Sequence, residues 1–152
     1  MANQEYVVNT GTSKVEEVTN VLSGGEVKRY HTLPIIGEQT VASHSWGVAL
    51  ILDWLKPDIS KTALLKALTH DVAEKQTGDI PAPTKWNNKS LAKQLASVER
   101  RIERELGVDY ELTTEEKEFF KQSDLFELLL YCVNQRSLGN TNVNVVFSNG
   151  VE

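Results

Sequence analysis

The adjacent pair His70-Asp71 lies inside an apolar stretch running from Leu64 to Glu74, and no other feature constrains this chain so tightly. The spacing of the apolar residues predicts a mostly buried helix that continues through the pair. Glu74 follows His70 by four positions, so a regular helix would set both on one face. An imidazole and two carboxylates are costly to bury unless a positive charge balances them. A divalent metal ion would supply that charge. His44, in an upstream apolar helix, and Asp124, in a downstream one, are candidates for the remaining ligands.

Taken singly, each residue has an ordinary explanation. His44 could be a hydrogen-bonded core histidine, and a His-Asp dipeptide is common. Taken together, two imidazoles and two carboxylates fall in apolar segments that must pack against one another, which is hard to stabilise without a cation. Two nitrogen and two oxygen donors with open positions suit a six-coordinate ion holding water and a phosphate oxygen. Co²⁺, Mn²⁺ and Zn²⁺ are the first choices, and Fe²⁺ and Ni²⁺ also fit. Mg²⁺ prefers an all-oxygen shell and belongs, if anywhere, at a second site.

The rest of the pattern is all-α, with five main helices in one domain covering residues 1–152. Ser13-Lys14-Val15-Glu16 reads as a capping box, Val15, Val18 and Leu22 then share a face, and Gly24-Gly25 stops the helix. Residues 26–38 read as a loop. A second helix runs from about Thr40 to Leu55, before Pro57. Ser60 caps a third, expected to run through His70-Asp71 to about Lys75. Residues 76–85 are too rich in Pro and Gly for helix. Helices then follow from about Lys89 to Leu106 and, capped at Thr113, to about Arg136. Beyond Gly139, Val143, Val145 and Phe147 alternate, the pattern of a short strand or hairpin unless the tail is simply mobile.

The net charge of −5 is spread without a basic cluster, so polymeric nucleic acid is not an expected partner. A small phosphorylated ligand, needing only two or three cations, stays open. Cys132 is the only cysteine, which excludes an intrachain disulfide or a thiolate metal cluster. Its apolar neighbours suggest a buried thiol. With no basic-then-apolar leader and no run long enough to span a bilayer, the expectation is a cytoplasmic protein without membrane contact.

The motif around the pair goes further. His70-Asp71-Val72-Ala73-Glu74, then Thr77-Gly78-Asp79-Ile80-Pro81 and Pro83-Thr84-Lys85, closely resembles the bacterial 5′-deoxynucleotidases of the HD superfamily of metal-dependent phosphohydrolases. Arg29-Tyr30, Ala42-Ser43-His44-Ser45 and Lys121-Gln122-Ser123-Asp124 match further parts of that pattern, so the resemblance covers about residues 26–136. Ser43 stands where those enzymes often have Glu, and the tail after Arg136 has no evident counterpart. The shorter chain and its Arg-Tyr-His-Thr and Glu38-Gln39-Thr40-Val41 segments also resemble the phage HD enzymes that split dATP into deoxyadenosine and triphosphate.

The resemblance implies a helical HD bundle in which His44, His70, Asp71 and Asp124 hold the metal. It implies that Glu74 handles a proton of the attacking water or the leaving 5′-oxygen, and that Asp79 positions water or substrate. Glu74 could instead be a surface carboxylate paired with Lys75, and Asp79 a turn residue. Arg29 and Lys85 are the candidates for phosphate binding, and Tyr30 for stacking on a nucleobase, unless it is a core aromatic. His31 could reach phosphate or base. Trp46 reads as helix core and Trp86 as core or pocket wall. The implied activity is hydrolysis of 5′-phosphates from deoxynucleotides, with dATP or another dNTP favoured narrowly over a dNMP. A homo-oligomer, dimer or hexamer, is expected. The competing readings are a non-catalytic nucleotide-binding module, against which Glu74 and Asp79 argue, and a cyclic-nucleotide or alarmone hydrolase, against which the Gly-Asp-Ile-Pro-Ala-Pro loop argues.

Overall fold

A computed structural model describes residues 13–151 of the chain. The described residues are helical without a strand, and a single antiparallel bridge pairs Lys28 with Thr40. The order is α1 (Lys14–Gly24), α2 (Val41–Leu55), α3 (Lys61–Thr69), α4 (Glu74–Thr77), α5 (Ala82–Asn87), α6 (Lys89–Glu105), α7 (Thr114–Ser137) and α8 (Asn144–Val151). The caps read from the sequence are formed. Ser13 with Glu16, and Thr113 with Glu116, make reciprocal capping boxes, and the Ser60 hydroxyl accepts from the Ala63 N–H.

Helices α2, α3 and α7 build the centre. Val48 and Leu52 of α2 pack on Ala63 and Ala67 of α3, whose small side chains let the two helices approach closely. Phe119 and Phe120 of α7 close the cluster from the third side. Cys132 is fully buried, as its neighbours suggested. Near its C-terminal end α7 also holds the long loop before α2. Buried Gln135 donates to the Ile36 carbonyl at 2.8 Å and accepts from its N–H at 2.9 Å, so an otherwise unsupported segment has its backbone groups paired.

Four expectations change. Helix α3 stops at Thr69, and residues 70–73 tighten into turns in which Val72 N–H bonds to Thr69 O and Glu74 N–H to Asp71 O. Gly24 at the end of α1 abuts this turn so closely that a Cβ there would lie 2.7 Å from Val72 O. Residues 82–87 of the expected loop form α5, with Pro83 in its first turn, where a missing N–H costs nothing. The tail forms helix rather than strand. A lone strand would leave its backbone groups unpaired, whereas α8 satisfies them internally and packs Gly150 against Leu129 and Leu125 of α7. Trp46 is not core: it is 63% exposed, because α2 buries Val41, His44, Ser45, Val48 and Leu52 and position 46 lies on the opposite side. Trp46, Leu50 and Trp54 instead form an outward stripe. The Val15, Val18 and Leu22 face of α1 is likewise exposed.

Candidate metal centre

The three central helices deliver their polar side chains to one point. His44 is fully buried on α2, and its Nε2 lies 3.0 Å from Asp124 Oδ1 and 3.8 Å from Asp71 Oδ2. His70, at the end of α3, places its Nε2 3.3 Å from Asp71 Oδ2 and 3.9 Å from Asp124 Oδ1. One ligand atom from each of His44, His70 and Asp124 fits within 4.8 Å of the others, a spacing that a single divalent ion with bonds of about 2 Å can bridge.

The donor chemistry fits an ion. His70 Nδ1 lies 2.8 Å from the Ala67 carbonyl, which can only accept, so Nδ1 carries a proton and in the neutral ring the lone pair is on Nε2. His44 Nδ1 contacts a Glu127 carboxylate oxygen in the same way. The two Nε2 atoms are buried and make no hydrogen bond. Burial alone would lower the His70 pKa, but the adjoining Asp71 carboxylate overrides it and raises the group to about 9. For Asp71 burial acts upward, yet His70 and then Arg29 hold it well below the usual carboxylate range. Protons and a metal ion would compete for this one set of atoms.

Glu74 sits beside the cluster, buried and not paired with Lys75 at the surface. Burial, reinforced by Asp71 and Asp79, pushes its carboxyl up to about 8, and its Oε2 has no hydrogen-bond partner. Because the helix breaks at Thr69, Glu74 opens its own short helix rather than sharing a regular face with His70.

The remaining candidates form a rim. Arg29 Nη1 is 3.4 Å from Asp71 Oδ2, while its buried Nε is unpartnered. Tyr30 adopts the left-handed backbone region, φ 57°, and its N–H donates to Asp79 Oδ2 at 3.1 Å. Asp79 thus holds the Arg29-Tyr30 turn as well as standing near Glu74. His31 Nδ1 is 3.8 Å from the same oxygen and half-exposed. The Tyr30 ring stacks on Tyr131 of α7, with centroids 4.9 Å apart and planes 7° from parallel, so one of its faces is already covered. Lys85, on α5, pulls down both Glu74 and Glu99, although burial keeps each carboxyl raised. Trp86 is half-exposed.

Sequence reading missed Glu127, Gln39, Tyr131 and Glu99. Glu127 had a visible signal, standing one turn beyond Asp124 on the same helix. Gln39 was visible only as part of the Glu38-Gln39-Thr40-Val41 segment that resembles the phage enzymes, and Tyr131 and Glu99 had no signal, because only the packing of distant segments brings them to this cluster.

Residues 25–149 match the 5′-deoxynucleotidase YfbR-like family. The chain belongs to that family. The YfbR-like match reaches past Arg136 into α8, so the tail does have a counterpart. Among curated relatives, a 5′-deoxynucleotidase of Photorhabdus laumondii is 26% identical over 80% of this chain and 74% of its own length. The dATP triphosphohydrolase of cyanophage S-2L is 29% identical over 79% of this chain and 71% of its own. A solved structure of the S-2L HD phosphohydrolase, bound to dA and one catalytic Zn²⁺ ion, superposes with a TM-score of 0.64 at 27% identity, covering 80% of this chain and 71% of that one. A conserved protein of Pyrococcus furiosus shares the fold, with a TM-score of 0.70 at 19% identity over 90% of this chain and 94% of its own. This YfbR-like chain is an enzyme, an HD-domain phosphohydrolase, which sets aside the non-catalytic module.

Proposed function

We propose that this phosphohydrolase cleaves 5′-phosphates from deoxynucleotides, and that its preferred reaction is hydrolysis of dATP, or another dNTP, to deoxynucleoside and triphosphate. The observation that carries the reading is the pair of buried, unpartnered histidine Nε2 atoms converging with Asp71 and Asp124 beside a buried carboxyl. His44, His70, Asp71 and Asp124 would hold a divalent ion, Co²⁺, Mn²⁺ or Zn²⁺. When bound, such an ion supplies polarisation of a phosphoryl oxygen and a more acidic water.

The chain's own residues do the rest. Arg29 and Lys85 bind phosphate oxygens, Arg29 being kept in place by Asp71. Water attacks the α-phosphorus, a new P–O bond forms and the bond to O5′ breaks. Glu74, whose carboxyl is pushed up by burial, would give a proton to the leaving O5′ and recover one from the attacking water. Asp79 orders the turn that carries Arg29 and Tyr30. Tyr30, backed by Tyr131, forms an aromatic wall for the base or sugar. Arg29 and Lys85, with His31 as a further hydrogen-bonding group, offer more reach than a single phosphate needs, which together with the phage relative favours the triphosphate. The second reading, phosphate release from dNMPs, is favoured by the bacterial relatives.

The working unit is proposed to be a homo-oligomer in the cytoplasm. Gln39 and His44 at the start of α2 meet Glu127, and Lys56 at its end meets Glu115, so α2 and α7 run antiparallel. Both helices also carry exposed apolar residues, Trp46, Leu50 and Trp54 on α2 and Phe126, Leu130 and Val133 on α7. Together they expose roughly 600 Å² of apolar side chain, approaching the ~800 Å² per partner of a standard interface. A second copy of this chain is the proposed occupant. A monomer by light scattering, unchanged by Trp54→Ser, would remove that part of the reading.

The product assay decides the activity: purified protein with Mn²⁺ or Co²⁺, each dNTP and dNMP offered separately, and products resolved by chromatography. Deoxyadenosine plus triphosphate from dATP is the expected result. Phosphate from several dNMPs would establish the alternative, and no turnover with any metal would overturn both.

A further inference from the structure

We propose that Glu127 and Gln39 are a positioning pair that fixes the proton on the His44 imidazole and ties this ligand to the Arg29-Tyr30 turn; the role rests on the metal-centre reading above. Glu127 presents one carboxylate oxygen to His44 Nδ1 and the other to Gln39 Nε2, at 2.8 Å. Gln39 is itself buried, and its backbone carbonyl accepts from the Arg29 N–H at 2.9 Å. Arg29 in turn reaches Asp71, which stands beside His44. The contacts close a ring running His44, Glu127, Gln39, Arg29, Asp71 and back to His44.

Chemistry gives the ring its direction. An ionised carboxylate only accepts, so the Nδ1 of His44 must donate, and its lone pair is left on Nε2, the atom that faces Asp124. Such an outer partner also raises the basicity of the ligating nitrogen. Space for the carboxylate is made by Gly47, one turn from His44, where an added Cβ would lie 2.9 Å from Glu127 Cγ. Glu127 is therefore seated from two sides, by a hydrogen bond from Gln39 and by the missing side chain of Gly47.

The test reads metal affinity by chelator competition with Zn²⁺, and the visible spectrum of the Co²⁺-loaded protein, in wild type, Glu127→Gln, Gln39→Leu and the double variant. Glu127→Gln is expected to weaken binding by about 10–100-fold and to alter the cobalt spectrum, with the metal-free melting temperature little changed. Gln39→Leu is expected to have a smaller effect, absent in the Glu127→Gln background. A folded Glu127→Gln protein with wild-type affinity and spectrum would overturn the pair while leaving the metal centre intact. A wild type that binds no metal would overturn the centre and the pair with it. Should the variants fail to fold, nitrogen NMR of the zinc-loaded wild type decides: a proton on Nδ1 of His44 supports the pair, and a proton on Nε2 overturns it.

Discussion

The centre and the rim of this site are built in opposite ways. His44 and Asp124 ride on long helices, α2 and α7, and His70 closes the end of α3. Their positions follow from helix packing around Val48, Leu52, Ala63 and Ala67. Arg29, Tyr30, Asp79 and Lys85 come from a loop, a Gly-containing turn and the six-residue α5. Polar contacts hold much of that rim, such as the Tyr30 N–H to Asp79 and Arg29 to Asp71. Helix packing is over-determined, whereas a loop held by two or three hydrogen bonds is easily shifted. Under the proposed function, this difference would give metal affinity to the centre and substrate handling to the rim.

The comparison can be broken most directly at Asp124. Asp124→Ala should remove bound metal and lower kcat/KM by roughly a thousandfold or more, since polarisation by the ion is worth several kcal/mol. Metal content by elemental analysis and turnover would be read on the same sample; full metal occupancy would contradict the division. Glu74→Gln should cost about 10²–10⁴-fold in kcat while leaving metal content unchanged, because Glu74 lies beside the ligands without being one of them. A loss of metal there would move Glu74 into the centre.

Arg29→Lys sharpens the rim. Replacing a fork by a point charge should lower kcat/KM by about 10–100-fold, the size of one or two lost charged hydrogen bonds, again with metal retained. Steady-state kinetics with the preferred nucleotide provides the check.

The smallest effect is one of pH. In metal-free protein His70, raised from 6.5 to about 9, contributes stability that is complete below 6.5 and lost as pH rises through 9. Glu74, raised from 4.5 to about 8, has the same sign: its contribution is complete below 4.5 and lost as pH rises through 8. Metal binding needs the His70 proton gone from the ligating nitrogen, whereas Glu74 is not a proposed ligand. Melting curves with chelator should therefore fall between about pH 5 and 9, and the gap to metal-loaded protein should widen. A gap that is constant across this range would mean that His70 is not a ligand.

The helical starts were legible because caps are local chemistry: Ser13, Thr40, Ser60 and Thr113 each bond to a backbone N–H three residues on. The end of α3 was not, because nothing in Thr69-His70-Asp71 breaks a helix. The turn forms where α1 presses Gly24 against Val72, a contact between residues far apart in the chain. The alternation of Val143, Val145 and Phe147 misled for a related reason. Period-two patterning needs a neighbouring strand to mean anything, and α7 offered a helical surface instead.

The sequence by itself determined the all-α class and which residue types could bind an ion, because periodicity, capping and donor chemistry are properties of short segments. Only the tertiary structure decided which atoms of those residues are free. The Nε2 of His70 is left bare by a carbonyl three residues back, and that of His44 by Glu127, eighty-three positions away. A proton's place on an imidazole is set by whatever acceptor packs against it, and packing across helices is not written in any one of them.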